Sequence, residues 1–342
     1  MLTIPETLDA QASAAVHKVQ ALRHPGRFLV SGMLAGAYIG IGVVLMVSTA
    51  GPLAAADDGL AKLVAGLVFG VALTLVVFAG ADLLTSAMMI LPQGALMRAI
   101  GPWRALGALV ATFAANLAGA FVFAGLVVAS GTLRSHAAAG GMLSDMLAAK
   151  AHEGPLEHLT LGILCNVLVC LAIWMCARVR SDVAKILLIF AAILAFISSG
   201  FEHVVANMTT YAIGLFTGDP NATLALFASN MLWVGLGNLI GGGVIVGLGY
   251  WIVGGSPRIR AAAPRDGVRE TVPAAGYTER SAGVVKSADT QDLGSCAFGR
   301  VGSSPTFRTG TSGYSSPGPA ADRMTDRREL RALSRPHPLA RP

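Results

Sequence analysis

Apolar residues run through this chain in long blocks separated by short polar stretches. Six blocks are about 20 residues or longer, enough for each to cross a bilayer as a helix. They cover roughly residues 28–50, 62–91, 103–131, 156–178, 184–216 and 222–253. The second and fifth exceed what one straight crossing needs. Both carry polar residues near their middles: Asp82, Thr85 and Ser86 in one, Glu202, His203 and Asn207 in the other. Ahead of the first block, Leu8, Ala12, Ala15, Val16, Val19 and Leu22 recur at helical spacing. That predicts a short amphipathic helix over residues 1–27, lying on the membrane surface or plugging the cytoplasmic mouth. No basic segment followed by an apolar one opens the chain, so no cleaved leader is expected.

Composition agrees with an all-α membrane protein. The chain is 54% hydrophobic and 13% charged, against about 25% charged in a soluble domain. Much of the net charge of +6 sits in residues 255–342, rich in Arg, Gly, Ser and Pro and without helical period. This stretch reads as a disordered basic tail beside anionic lipid headgroups. It lacks aromatic residues interleaved with basic ones, so no nucleic-acid partner is expected. Cys165, Cys170 and Cys176 fall in one apolar run and Cys296 in the tail, a spacing that suits neither zinc nor a disulfide framework.

Orientation follows Lys and Arg. Lys18, Arg23 and Arg27 precede the first block. Arg98 and Arg104 follow the second, Arg178, Arg180 and Lys185 follow the fourth, and Arg258 and Arg260 follow the sixth. The alternation predicts six crossings with both termini cytoplasmic.

The blocks also repeat. The third carries ANLAGA (115–120) and the sixth GNLIGG (237–242). Asp82 precedes Asn116 by 34 positions and His203 precedes Asn238 by 35. Each half reads as a helix, a helix broken by polar residues, and a helix with an Asn-Leu-x-Gly step. Three crossings per half require the second copy to be inverted, an arrangement many transporters use. Broken backbone at membrane depth survives only when buried in protein or facing water. Asp82, Glu202, Asn207, Asn116 and Asn238 are therefore read mainly as residues that hold the breaks. Glycines four apart, such as Gly32, Gly36 and Gly40, predict close helix contacts.

The sharpest single feature is GFEHVVANM (200–208). An ionisable side chain at such depth is costly and usually faces a bundle interior or a permeation path. A broken helix carrying a polar group at the midplane is a common form of transporter substrate site.

Together with GADLLTSAMM (80–89) and LGILCNVLVCLAIWM (161–175), in this order and spacing, that string resembles the formate–nitrite transporter family. The likeness runs from about residue 20 to 254. AGAYIGIG (35–42) and NMLWVGLGNLIGGGVIVGLGYW (230–251) look most like its nitrite branch. The resemblance implies an aquaporin-like protomer with its own pore and five protomers in a ring, in the bacterial inner membrane. It implies passage of small monovalent anions such as nitrite or formate. It puts His203 at the pore centre with Asn166 beside it, and Thr85, Leu83 and Leu84 in the loop that breaks the second helix. Phe69 and Phe196 match two apolar constrictions flanking the histidine, and Lys150 a basic residue of the outer vestibule. Leu84 departs from the family pattern, in which many members carry Phe.

These residue types suit the task. A bare anion entering an apolar neck must shed water at large cost, and protonation removes much of that cost. Histidine exchanges protons near physiological pH. Apolar rings exclude hydrated ions by dewetting, and a lysine at the mouth concentrates anions. Neither the residues nor the resemblance calls for a metal or cofactor. Within the same class, another monocarboxylate or hydrosulfide remains open. The readings from other classes are an intramembrane enzyme built on His203, Glu202 and Cys165, and a scaffold that transports nothing. The chain lacks HExxH and nucleophile motifs.

Overall fold

The N-terminal helix is set by its first four residues. In the computed structural model, which describes residues 1–257, α1 spans Ile4–Ala21. Thr3 and Glu6 form a capping box: the Glu6 carboxylate accepts from the Thr3 N–H at 2.7 Å, and the Thr3 hydroxyl accepts from the Glu6 N–H at 3.4 Å. These bonds to the Thr3 backbone and hydroxyl hold the Glu6 carboxyl below the usual carboxylate range. Leu2 and Arg178 exchange two hydrogen bonds, at 2.9 and 3.1 Å, which pins the start of α1 to the end of the helix Pro155–Arg178. The α1 face bearing Leu8, Ala12 and Ala15 is buried by protein, chiefly against the helix Leu84–Leu96.

Eleven further helices follow among the described residues: α2 (Pro25–Ala55), α3 (Ala61–Ala79), α4 (Leu84–Leu96), α5 (Pro102–Ser130), α6 (Thr132–Ser135), α7 (Ala137–His152), α8 (Pro155–Arg178), α9 (Asp182–Ser198), α10 (Val204–Thr217), α11 (Leu224–Leu239) and α12 (Gly249–Val253). Proline opens α2, α5 and α8 in the first turn, where its missing N–H costs no helical bond. Between α11 and α12 the chain stays helical but widens to π geometry over Ile240–Leu248. Five helices are long and apolar enough to cross a membrane: α2, α3, α5, α8 and the continuous Leu224–Val253. Helices α4 and α10 are apolar but shorter.

Two helix pairs touch backbone to backbone. A Cβ at Gly36 would run into the Asn116 carbonyl, and one at Gly119 into the Met33 carbonyl, so α2 and α5 cross with nothing between them. Gly162 and Gly237 do the same for α8 and α11. In lipid, where apolar side chains gain little from meeting, such contact is what binds helices together.

The blocks read at 62–91 and 184–216 each divide into two helices. α3 ends at Ala79, Gly80 (φ +76°) caps it, and α4 begins at Leu84; α9 ends at Ser198, Gly200 (φ +76°) turns the chain, and α10 begins at Val204. A left-handed φ favours glycine at both turns. The sequence pattern missed α7 altogether. Its stretch AAAGG reads as a loop, and its buried stripe of Ala139, Leu143, Leu147 and Lys150 ends on a lysine. Packing against α2 holds it helical, with Gly51 seated on the Ala138 carbonyl. The basic tail lies outside the described residues beyond position 257.

Candidate functional site

Residues 80–83 and 199–203 leave the helical ladder, so their buried N–H and C=O groups need other partners. One asparagine serves each break. From α5, Asn116 accepts from the Leu84 N–H at 2.9 Å and donates to the Asp82 and Gly32 carbonyls at 2.8 and 2.9 Å. From α11, Asn238 accepts from the Val204 N–H at 2.9 Å and donates to the Glu202 and Gly162 carbonyls at 2.9 and 2.7 Å. The pattern matches bond for bond. It makes Asp82 the counterpart of Glu202 and Leu83 the counterpart of His203. The sequence offset, which paired Asp82 with His203, is therefore one residue out.

His203 sits at the N-cap of α10, and its Nδ1 accepts from the Ala206 N–H at 3.1 Å. An accepting Nδ1 leaves the proton on Nε2 in the neutral ring. Nε2 lies 2.9 Å from Thr85 Oγ1, in the first turn of α4, so this one bond joins the two breaks. Asn166 is fully buried nearby. Its Nδ2 donates to the Asn238 carbonyl at 2.6 Å and the Thr85 carbonyl at 3.2 Å. The imidazole is not among its partners, so Asn166 acts on the backbone around the ring rather than on the ring itself. Leu83 and Leu84 are buried beside Thr85.

Both break carboxylates are paired with lysines. Asp82 meets Lys18 of α1 at 2.5 Å and the Ser31 hydroxyl at 3.4 Å, with both ionic side chains about one-sixth exposed. Glu202 is paired with Lys150 of α7, more deeply, at 7% and 8% exposure. Its other oxygen accepts from Asn207 Nδ2 at 2.5 Å, and Asn207 also donates to Asn230 Oδ1 at 2.8 Å. Lys150 is thus paired with a carboxylate at the cavity wall. Lys18, Ser31 and Asn230 were missed as site residues. The available signal was order within each half: one lysine on the helix before it, then the carboxylate, then the asparagine.

A cavity of about 620 Å³ reaches His203, lined among others by Lys150, Glu202, Phe69, Phe196 and Met146. Phe69 and Phe196 touch edge to face, their centroids 6.0 Å apart, and Phe196 lies 6.1 Å from the imidazole. Both rings line this same cavity. They form one apolar pair on one side of the histidine, which corrects the expectation of two constrictions flanking it. Among the described residues, no three His, Cys, Asp or Glu side chains cluster as metal ligands.

The comparisons with known proteins fall on this same region. Residues 5–252 match the model of the formate/nitrite transporters. The chain belongs to that family. The nitrite transporter NirC of Salmonella typhimurium is 39% identical over 264 residues, covering 75% of this chain and 92% of that protein. The formate channel FocA of Escherichia coli is 33% identical over 272 residues, covering 74% and 94%. Among solved structures, one described as an FNT family ion channel superimposes with a TM-score of 0.68 at 37% identity, covering 72% of this chain and 98% of that one. A pentameric formate channel with formate bound gives 0.59 at 28% identity, covering 68% and 98%. Formate/nitrite transporter relatives are transporters and channels, not enzymes.

Proposed function

We propose that each copy of this chain is a pore for small monovalent anions, nitrite above all, with His203 at its centre. The observation that carries this is the Thr85–His203 bond at the end of a cavity, joining two buried helix breaks. In this reading α3 with α4, and α9 with α10, are each one interrupted crossing. The described residues then form six crossings in two inverted, aquaporin-like halves of three, which the matching asparagine bonds support. Both termini face the cytoplasm across a bacterial inner membrane, following the distribution of Lys and Arg. Five copies form a ring, as in the pentameric formate channel to which the chain is similar. Lipid surrounds the ring.

Mechanistically, an anion entering from the cavity passes Phe69 and Phe196, where hydrated ions are excluded. It then meets a ring whose Nε2–H faces the Thr85 hydroxyl. Either group can donate to it. A proton that enters from the cavity with the anion forms an imidazolium stabilised by the anion's charge; its transfer to the anion returns the ring to neutral and gives a neutral acid able to pass the apolar neck of Leu83 and Leu84. The greater identity to NirC than to FocA supports nitrite, and the FocA likeness supports formate as a second substrate.

The test is flux of nitrite and formate into proteoliposomes, with current and internal pH recorded together. His203→Asn keeps an N-cap acceptor and removes the exchangeable proton. Loss of most flux and of its pH dependence is expected; an unchanged rate with an unchanged pH profile overturns the reading.

A further inference from the structure

A second histidine is buried beside this site and is not used by the pathway. His158, in the first turn of α8, is 4% exposed. Its Nε2 lies 3.3 Å from Asn230 Nδ2 and 3.2 Å from Glu153 Oε2, at the C-terminal end of α7. Among the described residues its Nδ1 has no hydrogen-bond partner. Asn230 leads on through Asn207 to Glu202, and Glu202 to Lys150.

The ionised Glu202 sets the sense of the two bonds nearest it. A carboxylate only accepts, so Asn207 must turn its NH₂ toward Glu202. The same NH₂ serves Asn230 Oδ1. Asn230 then presents its own NH₂ to His158, and Nε2 accepts it in the neutral tautomer with the proton on Nδ1, which leaves the Glu153 Oε2 beside it without a donor. A protonated ring carries N–H on both nitrogens. Its Nε2–H then opposes the Asn230 NH₂, donor against donor, and suits Glu153 instead. Asn230 recovers a bond only by turning its amide over, which forces Asn207 to turn as well. The Asn207 carbonyl then faces Glu202, an arrangement that is satisfied when Glu202 carries a proton and donates it. A neutral Glu202 no longer holds Lys150 by charge. The row therefore has two self-consistent senses, with a proton bound at both ends or at neither.

The ionisable groups facing His158 are few. Glu153 and Lys150 come from α7 and Glu202 from the α9–α10 break; Tyr211 of α10, whose buried hydroxyl has no hydrogen-bond partner among the described residues, lies within electrostatic reach of Glu202 and Glu153. Glu157, next in the chain, is occupied by the Gly154 N–H at 2.7 Å. Helix α11 contributes no ionisable side chain, and Asp182 and Lys185 of α9 pair near the opposite end of α8.

We propose that His158 is a positioning residue: its protonation reverses the Asn230–Asn207 row, releases Lys150 from Glu202 and so admits anions to the cavity. The lining sets two lysines, Lys62 and Lys150, against four carboxylates, Asp57, Asp58, Glu153 and Glu202. A proton on His158 and another on Glu202 cancel that excess of negative charge, and an anion is no longer repelled. This rests on the pore reading for its effect on flux, but not for the row itself.

Two readouts test it. The first is the infrared band of a protonated carboxyl on acidification of the full-length protein in liposomes, assigned to Glu202 by its loss in Glu202→Gln. In His158→Gln, which accepts from Asn230 but cannot become a cation, this band should need a medium more acidic by about one pH unit or more. The second is the pH profile of nitrite uptake, each protein normalised to its own maximum. Wild type should rise on the acid side, His158→Gln should lose that rise, and Glu153→Gln should shift it about one unit toward acid. A band and profile of His158→Gln that superimpose on wild type overturn the proposal. Should His158→Gln fail to fold, an unshifted band and profile in Glu153→Gln overturn it equally. A band that follows His158 in a protein that moves no nitrite supports the row and sinks the pore reading. Flux that depends on His203, with a band indifferent to His158, sinks the row alone.

Discussion

Thr85 and His203 stand 118 residues apart in the chain and 2.9 Å apart in space. Each begins a short helix just after a break, and the bond between them joins the two breaks. The ring cannot choose its tautomer freely, because the Ala206 N–H occupies Nδ1. Its remaining proton is therefore aimed at the threonine.

Thr85→Val keeps the shape of the side chain and removes that acceptor. The loss of one buried hydrogen bond, about 1 kcal/mol, should lower nitrite flux about fivefold. Thr85→Ser should restore most of it. Uptake into proteoliposomes measures the effect, with the thermal midpoint in detergent as the control for folding.

Asn116→Ala and Asn238→Ala each strand one buried N–H and the carbonyl of the break carboxylate residue, while the Gly32 and Gly162 carbonyls lie within helices. At about 1–3 kcal/mol per unsatisfied group, each should cost roughly 3 kcal/mol or more. The two losses should be similar, because the bonds match. A thermal midpoint lowered in one variant and unmoved in the other would contradict the equivalence.

The two lysine pairs should differ in weight. Lys150→Met leaves the Glu202 charge buried and uncompensated, at a cost of about 3–5 kcal/mol. The Lys18–Asp82 pair is more open to water, so Lys18→Met should cost only about 1 kcal/mol. Combining Lys150→Met with Glu202→Gln should recover most of the lost thermal stability.

Gly36→Ala and Gly119→Ala place a methyl group inside a neighbouring carbonyl and should push α2 and α5 apart. Gly107→Ala meets nothing within 4 Å and should be tolerated. Yield of folded protein by size-exclusion chromatography in detergent separates the two outcomes.

Much of this architecture was legible in the sequence. Glycine and a carboxylate interrupting an apolar run marked both breaks, and the two Asn-Leu-x-Gly steps marked the residues that hold them. The register between the halves was not legible, because Asn116 and Asn238 bond main-chain atoms and main-chain atoms leave no trace in residue identity. Helix α7 was hidden by its small residues and single lysine, and Lys150 looked like a loop charge until Glu202 appeared opposite it. His158 stood at the start of an apolar block, where a polar residue excites no notice. Phe69 and Phe196 lie on different helices, and only their packing shows that they share one side of the imidazole.

The grip of Asn116 and Asn238 on peptide groups alone carries a lesson about variability. The side chain that follows each break carboxylate is left out of the clamp. One frame can therefore present an imidazole and its twin an isobutyl group, while the fold that supports them stays the same. Two clamps with the same main-chain bonds thus carry different side chains at the position they leave free.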